Sequence, residues 1–262
     1  MFMQDKEIKI VFITDSHLVF DDKFLGIDTF QSFEATIEDV VVNHSDADFY
    51  IFGGDLIQDQ NEVSFRFFKD ISSRLQKPML FARGNHDIND DFFNEISANQ
   101  KTQTSFKSWE LISLNSYSEG NIYGEIKDDE IRFLQDISKK NSNKHILVYM
   151  HHNLFPTKSP WIDIHITKNY QDLSVKFSAI ENLKLVISGH IHQEMKVLLN
   201  ETTFVSTPST SFQFLPDKET FTLDKKNPAY TVLNLYPDGS FDLSYKRIKG
   251  HFGEPEKNPK LY

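Results

Sequence analysis

The sequence contains no cysteine. A disulfide framework and a thiolate metal site are both excluded, so stability and any ion binding must come from other side chains. There is no uninterrupted apolar run of about 18 residues, the length that suggests a helix crossing a bilayer. The opening Met-Phe-Met-Gln-Asp-Lys-Glu lacks a basic stretch followed by an apolar one, so no secretory leader is expected and a cytoplasmic location is. Basic residues are in the minority: 28 Lys and Arg stand against 38 Asp and Glu, a formal charge of −10. That balance argues against a broad basic face gripping long nucleic acid. An anionic substrate would need a local source of positive charge, and a bound metal ion is often the largest charge in its site.

What is present suits one sizeable core, since the 262 residues are 39% hydrophobic and 13% aromatic. Ile8 to Thr14 reads as a strand, and Phe30, Phe33, Ile37, Val40 and Val41 then recur at helical spacing. The unit repeats with a strand at Phe49 to Phe52, a helix whose stripe is Val63, Phe67, Ile71 and Leu75, and a strand at Met79 to Phe81. After a less regular stretch from about 88 to 127, with a strand at Glu110 to Ser113, a helix is expected with Asp128 as N-cap and Ile131, Leu134 and Ile137 inward. His145 to Met150 and Leu185 to Ile187 are further strands. Beyond Lys196 the pattern turns to hairpins, with Asn200-Glu201 and Pro237-Asp238-Gly239 as turns. The class is α/β, in a single domain over 1–248. Residues 249–262, rich in Gly, Pro and charge, form a tail that is either disordered or at a subunit contact; Phe252 and Tyr262 make it a candidate homodimer contact.

Five polar blocks follow directly on strands: Thr14-Asp15-Ser16-His17, Gly53-Gly54-Asp55, Arg83-Gly84-Asn85-His86-Asp87, His151-His152-Asn153 and Gly189-His190-Ile191-His192. A His-x-His pair alone is weak evidence, because alternate residues of an extended segment commonly point to opposite sides. In open α/β sheets, however, ligands bind outside the carboxyl ends of the strands, where such blocks can converge. Their donors are oxygen and nitrogen, suited to Mn²⁺, Fe²⁺ or Zn²⁺. Two ions need a shared carboxylate and roughly three further ligands each. Asp55 is the natural bridge, with Asp15, His17 and one of the final histidines on one ion, and Asn85, His151 and the other histidine on the second.

Taken in order, these blocks resemble the calcineurin-like metallophosphoesterases, whose signature runs Asp-x-His, Gly-Asp, Gly-Asn-His-Asp/Glu, a later His and Gly-His-x-His. The resemblance implies a four-layer fold, two mixed β-sheets flanked by helices, and a dinuclear centre. It implies Asp15, His17, Asp55 and His192 as ligands of one ion and Asp55, Asn85, His151 and His190 as ligands of the other, with His152 a neighbour that either supports the ligands from behind or faces the substrate. Further segments are similar to the bacterial class III 3′,5′-cyclic-AMP phosphodiesterases: Gly189 to Glu194, Ser206-Thr207-Pro208-Ser209-Thr210, Gln213-Phe214, Phe221 to Asp224 and Trp161 to His165.

The expected reaction is hydrolysis of a cyclic nucleotide phosphodiester, 3′,5′-cyclic AMP to 5′-AMP, with the metals supplying charge to the transition state. His86 is expected as proton donor to a phosphate or leaving oxygen, and Asp87 as the carboxylate that orients it. Substrate contacts are expected from Asn85, His86, His152, Trp161 and His165, with Trp161 either stacking on a base or anchoring a loop. Arg83 is either a phosphate contact or the partner of an acidic residue. Alternatives within the same chemistry are a 2′,3′-cyclic nucleotide, a phosphomonoester or a nucleotide-sugar lipid precursor, although no amphipathic insertion for a membrane stands out. A non-catalytic scaffold would be expected to have lost some of these residues, and this sequence retains them all.

Overall fold

The computed structural model describes residues 7–98, 102–257 and 259. The first half runs β1 (Ile8–Ile13), α1 (Thr29–Asn43), β2 (Phe49–Phe52), α2 (Glu62–Ser72), β3 (Met79–Phe81) and α3 (Asp90–Ser97). There follow β4 (Gln103–Phe106), β5 (Trp109–Ser113), α4 (Asp128–Lys140), β6 (His145–Tyr149), α5 (Pro160–Asp163), α6 (Tyr170–Ser178) and β7 (Leu183–Ser188). Short strands close the chain: β8 (Met195–Leu199), β9 (Thr202–Ser206), β10 (Gln213–Phe214), β11 (Leu223–Asp224), β12 (Ala229–Leu235) and β13 (Phe241–Arg247).

Two mixed sheets result. One has the order β13-β12-β1-β2-β3, with β1, β2 and β3 parallel. The other has the order β4-β5-β6-β7-β9-β8, with a parallel centre and an antiparallel strand at each edge. Strand periodicity explains the layering, since successive side chains point to opposite faces. Ile10 and Phe12 meet Leu147, Tyr149, Leu185 and Ile187 between the sheets. Val11 and Ile13 face the other way and pack with Phe33, Ile37 and Phe68 of α1 and α2. Val148 and Val186 pack in the same manner with Leu134 of α4 and Phe177 of α6. Helices therefore cover the outer faces, giving the four layers expected, and the central strands read as continuous apolar runs because both their faces are buried.

Two helix details differ from the sequence reading. The N-cap of α4 is Lys127, without a side-chain cap bond, and Asp128 lies with Asp129 and Glu130 in the first turn, where acidic charge suits the helix dipole. In α2 the buried face is Ser64, Phe65, Phe68 and Ile71, while Val63 is exposed and Leu75 lies past the end, itself buried. Phe65, Phe67 and Phe68 allow two competing stripes. The one chosen stacks Phe65 on Phe92 and sets Phe68 against Phe33 and Phe52.

Part of the tail packs on this chain's own loop after β1. Phe252 is buried, its carbonyl accepts from Asp28 N, and Glu256 N donates to Leu25 O. Tyr262, the other aromatic end, lies outside the described residues. Among the described residues no helix is long and apolar enough to cross a membrane.

Candidate metal centre

The five polar blocks are the extensions of β1, β2, β3, β6 and β7, three from one sheet and two from the other. Backbone bonds draw them together: Asp15 N donates to Gly54 O (2.9 Å), His17 N to Asp55 O (3.0 Å) and Gly189 N to His151 O (3.1 Å). Side chains then cross between sheets. His190 N donates to both carboxylate oxygens of Asp15 (3.2 Å each), His151 Nε2 lies 3.1 Å from Asp55 Oδ2, and His192 Nε2 lies 3.2 Å from Asp15 Oδ1.

The local backbone is unusual. Asp15, His17, Asp55, His190 and His192 all have positive φ, between 42° and 69°. Asp tolerates this conformation better than most residues, yet it remains costly and concentrates where function requires a fixed side-chain direction. Two glycines make the approach possible. A Cβ on Gly84 would stand 2.1 Å from Asp55 Oδ1, and one on Gly189 would stand 2.5 Å from Asp15 Oδ2.

Three of the imidazoles are oriented by their second nitrogen. His17 Nδ1 bonds Gln58 Oε1 (2.8 Å), His151 Nδ1 the carbonyl of Gly53 (2.8 Å) and His192 Nδ1 the carbonyl of Phe212 (2.9 Å). In each, Nδ1 donates and Nε2 points inward, so that the ring in its neutral form presents a lone pair there, as metal-binding histidines do. Donor groups of Asp15, His17 and His192 lie within 4.8 Å of one another, as do those of Asp15, Asp55 and His151. Asn85 Oδ1 and both ring nitrogens of His190 are buried without a hydrogen bond, and Asp55 Oδ2 and His151 Nε2, also buried, face each other at 3.1 Å with no further hydrogen bond. Buried polar atoms are ordinarily satisfied, so this concentration of lone pairs fits cations. The donor set, carboxylate, amide oxygen and imidazole, fits divalent ions of borderline hardness.

Comparison with known proteins agrees with this geometry. Residues 8–194 match the family model described as calcineurin-like phosphoesterase. The chain belongs to that family. A protein of Haemophilus influenzae named 3′,5′-cyclic adenosine monophosphate phosphodiesterase CpdA is 31% identical over 248 residues, covering 92% of this chain and 90% of that one. The protein of the same name from Escherichia coli K12 is 27% identical over 258 residues, covering 96% of this chain and 94% of its own. In fold, the chain is similar to a dimetal phosphatase from Danio rerio, with a TM-score of 0.68 at 9% identity, over 94% of this chain and all of that one.

Within this phosphoesterase the remaining expected residues take distinct places. Ring nitrogens of His152 approach those of His151 and His190 closely enough to share an ion. Both are already engaged, however, Nδ1 with Ser116 Oγ (2.9 Å) and Nε2 with the carbonyl of Ile122 (3.0 Å). That leaves His152 no inward lone pair and makes it a brace between the β6 loop and the 116–122 loop; the same two bonds occupy the ring expected to face substrate. Asp87, expected to orient His86, directs its carboxylate elsewhere. Oδ2 accepts from Asp55 N and Gly84 N (2.9 Å each) and Oδ1 from Leu56 N (2.8 Å). Its work is to clamp two site loops together. His86 is half-buried at the edge of the cluster; its backbone N donates to Asp55 Oδ1 (2.8 Å), and its ring meets that of His17 edge-on at 5.1 Å. Its donor atom also lies within 4.8 Å of those of His17 and Asp55.

Trp161 sits half-buried against Phe214 and Phe221. His165, on the turn after α5, is half-buried, and its imidazole is held below its ordinary value by burial and, secondarily, by His86. Arg83 donates to Asp87 O (2.9 Å), pairs with Asp90 and lies over the Tyr117 ring at 4.0 Å, so it is the partner of an acidic residue. Sequence reasoning missed Gln58, Ser116 and the Phe212 carbonyl. None carries a motif signal, because each acts through a contact between segments distant in sequence.

The charges are arranged as ion pairs. Burial works against ionised Asp55, yet the neighbouring His151 holds it well below the usual carboxylate range. Burial would lower His151, but the Asp55 carboxylate outweighs it and pushes the imidazole up to about 9. His17 is brought down to about 3 by burial, and His190 is held well below its ordinary value by burial and the adjacent His152 and His151. Asp87 is raised to about 6 by burial and by the Asp55 carboxylate, against the amide bonds it accepts.

Proposed function

We propose that this phosphoesterase hydrolyses a cyclic nucleotide diester, 3′,5′-cyclic AMP to 5′-AMP, using two divalent ions. The observation that carries the reading is the set of buried, inward-facing ligand atoms of Asp55, Asn85, His151 and His190 beside the Asp15, His17 and His192 group. Asp15, His17, Asp55 and His192 would hold one ion and Asp55, Asn85, His151 and His190 the other, with Mn²⁺ and Fe²⁺ the ions best matched to the donors and Zn²⁺ also compatible. When bound, such ions supply Lewis acidity and positive charge, lowering the pKa of water and stabilising charge on a phosphoryl group. The substrate class follows the names of the two bacterial relatives, each of which is covered over most of its length.

The chain's residues have definite tasks in that reaction. Water attacks phosphorus, the bond from phosphorus to the ribose 3′ oxygen breaks, and that oxygen takes up a proton. His86, at the edge of the cluster, is the residue we assign to donate to the leaving oxygen or to a phosphate oxygen. His165, half-buried on the turn after α5, is the residue we assign to contact the nucleotide. Asp87 keeps the Asp55 and Gly84 loops in register, so that Asp55 faces both halves of the cluster.

The test is ³¹P NMR of Mn²⁺-loaded protein with 3′,5′-cyclic AMP and 2′,3′-cyclic AMP in separate tubes, beside a chelator-treated control. Metal-dependent appearance of 5′-AMP from the 3′,5′ isomer is expected. Turnover of only the 2′,3′ isomer or of an aryl phosphate would overturn the substrate and keep the phosphoesterase.

A further inference from the structure

The segment between β9 and β11 has no part in the reaction above, yet it is densely hydrogen-bonded to the backbone beside the centre. Ser209 Oγ donates to the carbonyl of Asp15 at 2.8 Å and Ser211 Oγ to the same oxygen at 2.7 Å, with the two hydroxyl oxygens 2.9 Å apart. Thr210 contributes both its N and its Oγ1 to the carbonyl of Thr14, at 3.0 Å each. Gln213 closes the turn, its Oε1 accepting from Ser209 N (3.2 Å) and its Nε2 donating to Ser209 O (2.7 Å). Ser209, Thr210 and Ser211 are all fully buried.

The same segment holds His192. Phe212 offers the carbonyl that orients its Nδ1, and the Phe214 ring lies parallel to the imidazole at 4.3 Å. One stretch of chain therefore grips Asp15 and His192. The inward atoms of Asn85, His151 and His190 have no hydrogen bond to this segment. A frame that touches the donors of one ion and not those of the other can affect the two unequally.

We propose that Ser209 and Ser211 are positioning residues for one ion of the pair, that held by Asp15, His17 and His192; this rests on the two-ion reading of the site. Asp15 needs the support because its φ is 56°, a left-handed conformation that an aspartate adopts only at a cost. Its N is tied to Gly54 O on one side, and the paired serines tie its carbonyl on the other, fixing the peptide on either side of the left-handed turn. Each hydroxyl has a single proton, so two protons serve three contacts and the carbonyl receives at least one of them whichever way the hydroxyls turn. Loss of one serine leaves the other in place. Loss of both removes the tie.

The experiment is calorimetric titration of chelator-stripped protein with Mn²⁺, with bound metal counted by mass spectrometry, on wild type, the Ser209→Ala/Ser211→Ala pair and Thr207→Ala. Thr207 is equally buried in the same segment, but its Oγ1 bonds Ser188 O and not Asp15. Wild type should take up two ions per chain. The double variant should bind one as wild type does and the other about 10–100-fold more weakly, the usual effect of removing a group that orients a metal ligand. Excess Mn²⁺ should restore its turnover, and Thr207→Ala should bind both ions normally. If the double variant does not fold, each single variant should show a smaller loss confined to the same ion. Two ions bound with unchanged affinity, equal weakening of both, or the same loss in Thr207→Ala would overturn the proposal. A wild type that never takes up two ions would instead overturn the two-ion reading beneath it.

Discussion

At the scale of single residues, the centre separates groups that face a ligand from groups that face other loops, and neighbouring residues can differ in this. His86 and Asp87 are adjacent, yet one ring stands at the edge of the cluster while the other carboxylate accepts three backbone N–H groups. His86→Ala should therefore keep both metals and lower kcat by about 10²–10⁴, the range usual for a proton-donating side chain. Metal content measured beside turnover checks this, and unchanged turnover with full metal would remove His86 from the reaction. Asp87→Asn should act on stability as well. It sets an amide N–H₂ against backbone donors in a buried site, at a cost of about 1–3 kcal/mol. A fall of roughly 3–10 °C in the melting temperature of the stripped protein is the expected result. The convergence of these groups was readable from sequence, because five blocks of carboxylates and imidazoles, each directly after an apolar run, are more than strand-end turns require. The role of Asp87 was not, since adjacency to His86 says nothing about which way a carboxylate turns.

At the scale of elements, the strand-to-loop turns do the positioning, and their glycines are the most sensitive points. Gly84→Ala would place a methyl group 2.1 Å from Asp55 Oδ1 and 2.4 Å from Asp55 N. Because one of these atoms is backbone, a rotamer change cannot relieve the contact, and the whole Asp55 turn must shift. Metal analysis of Gly84→Ala is expected to show loss of metal at concentrations that saturate wild type; full occupancy would mean that the turn has slack. The central strands were legible because burial on both faces produces unbroken apolar runs. α3, β4 and α6 were not. No residue of α3 is buried, and β4 is an edge strand with only partly covered side chains, so neither carries a strong apolar period. In α6 the buried positions Leu173, Ser174, Phe177 and Ser178 include two serines, which hides the stripe from a hydrophobic reading.

For the molecule as a whole, a chain of formal charge −10 must concentrate positive charge at one place to handle a phosphodiester, and its own buried charges show how that place responds to pH. His151 has the Asp55 carboxylate 3.1 Å away and is pushed up to about 9. Folding therefore raises its affinity for a proton. In the stripped protein the stabilisation from this pair is fully present below the ordinary histidine value of about 6.5 and is lost as pH rises through about 9. Metal uptake runs against the same proton, because a histidine ligand must be neutral. At pH 7.5 His151 should have to release its proton when Mn²⁺ enters, so binding should tighten as pH rises toward 9. Titrations in HEPES and in Tris, which differ in heat of ionisation, should differ in apparent enthalpy by an amount equal to about one proton released per chain. Identical enthalpies in the two buffers would mean that the Asp55–His151 pair holds no proton at that pH, and that the charge awaiting the metal is carried by the carboxylates alone.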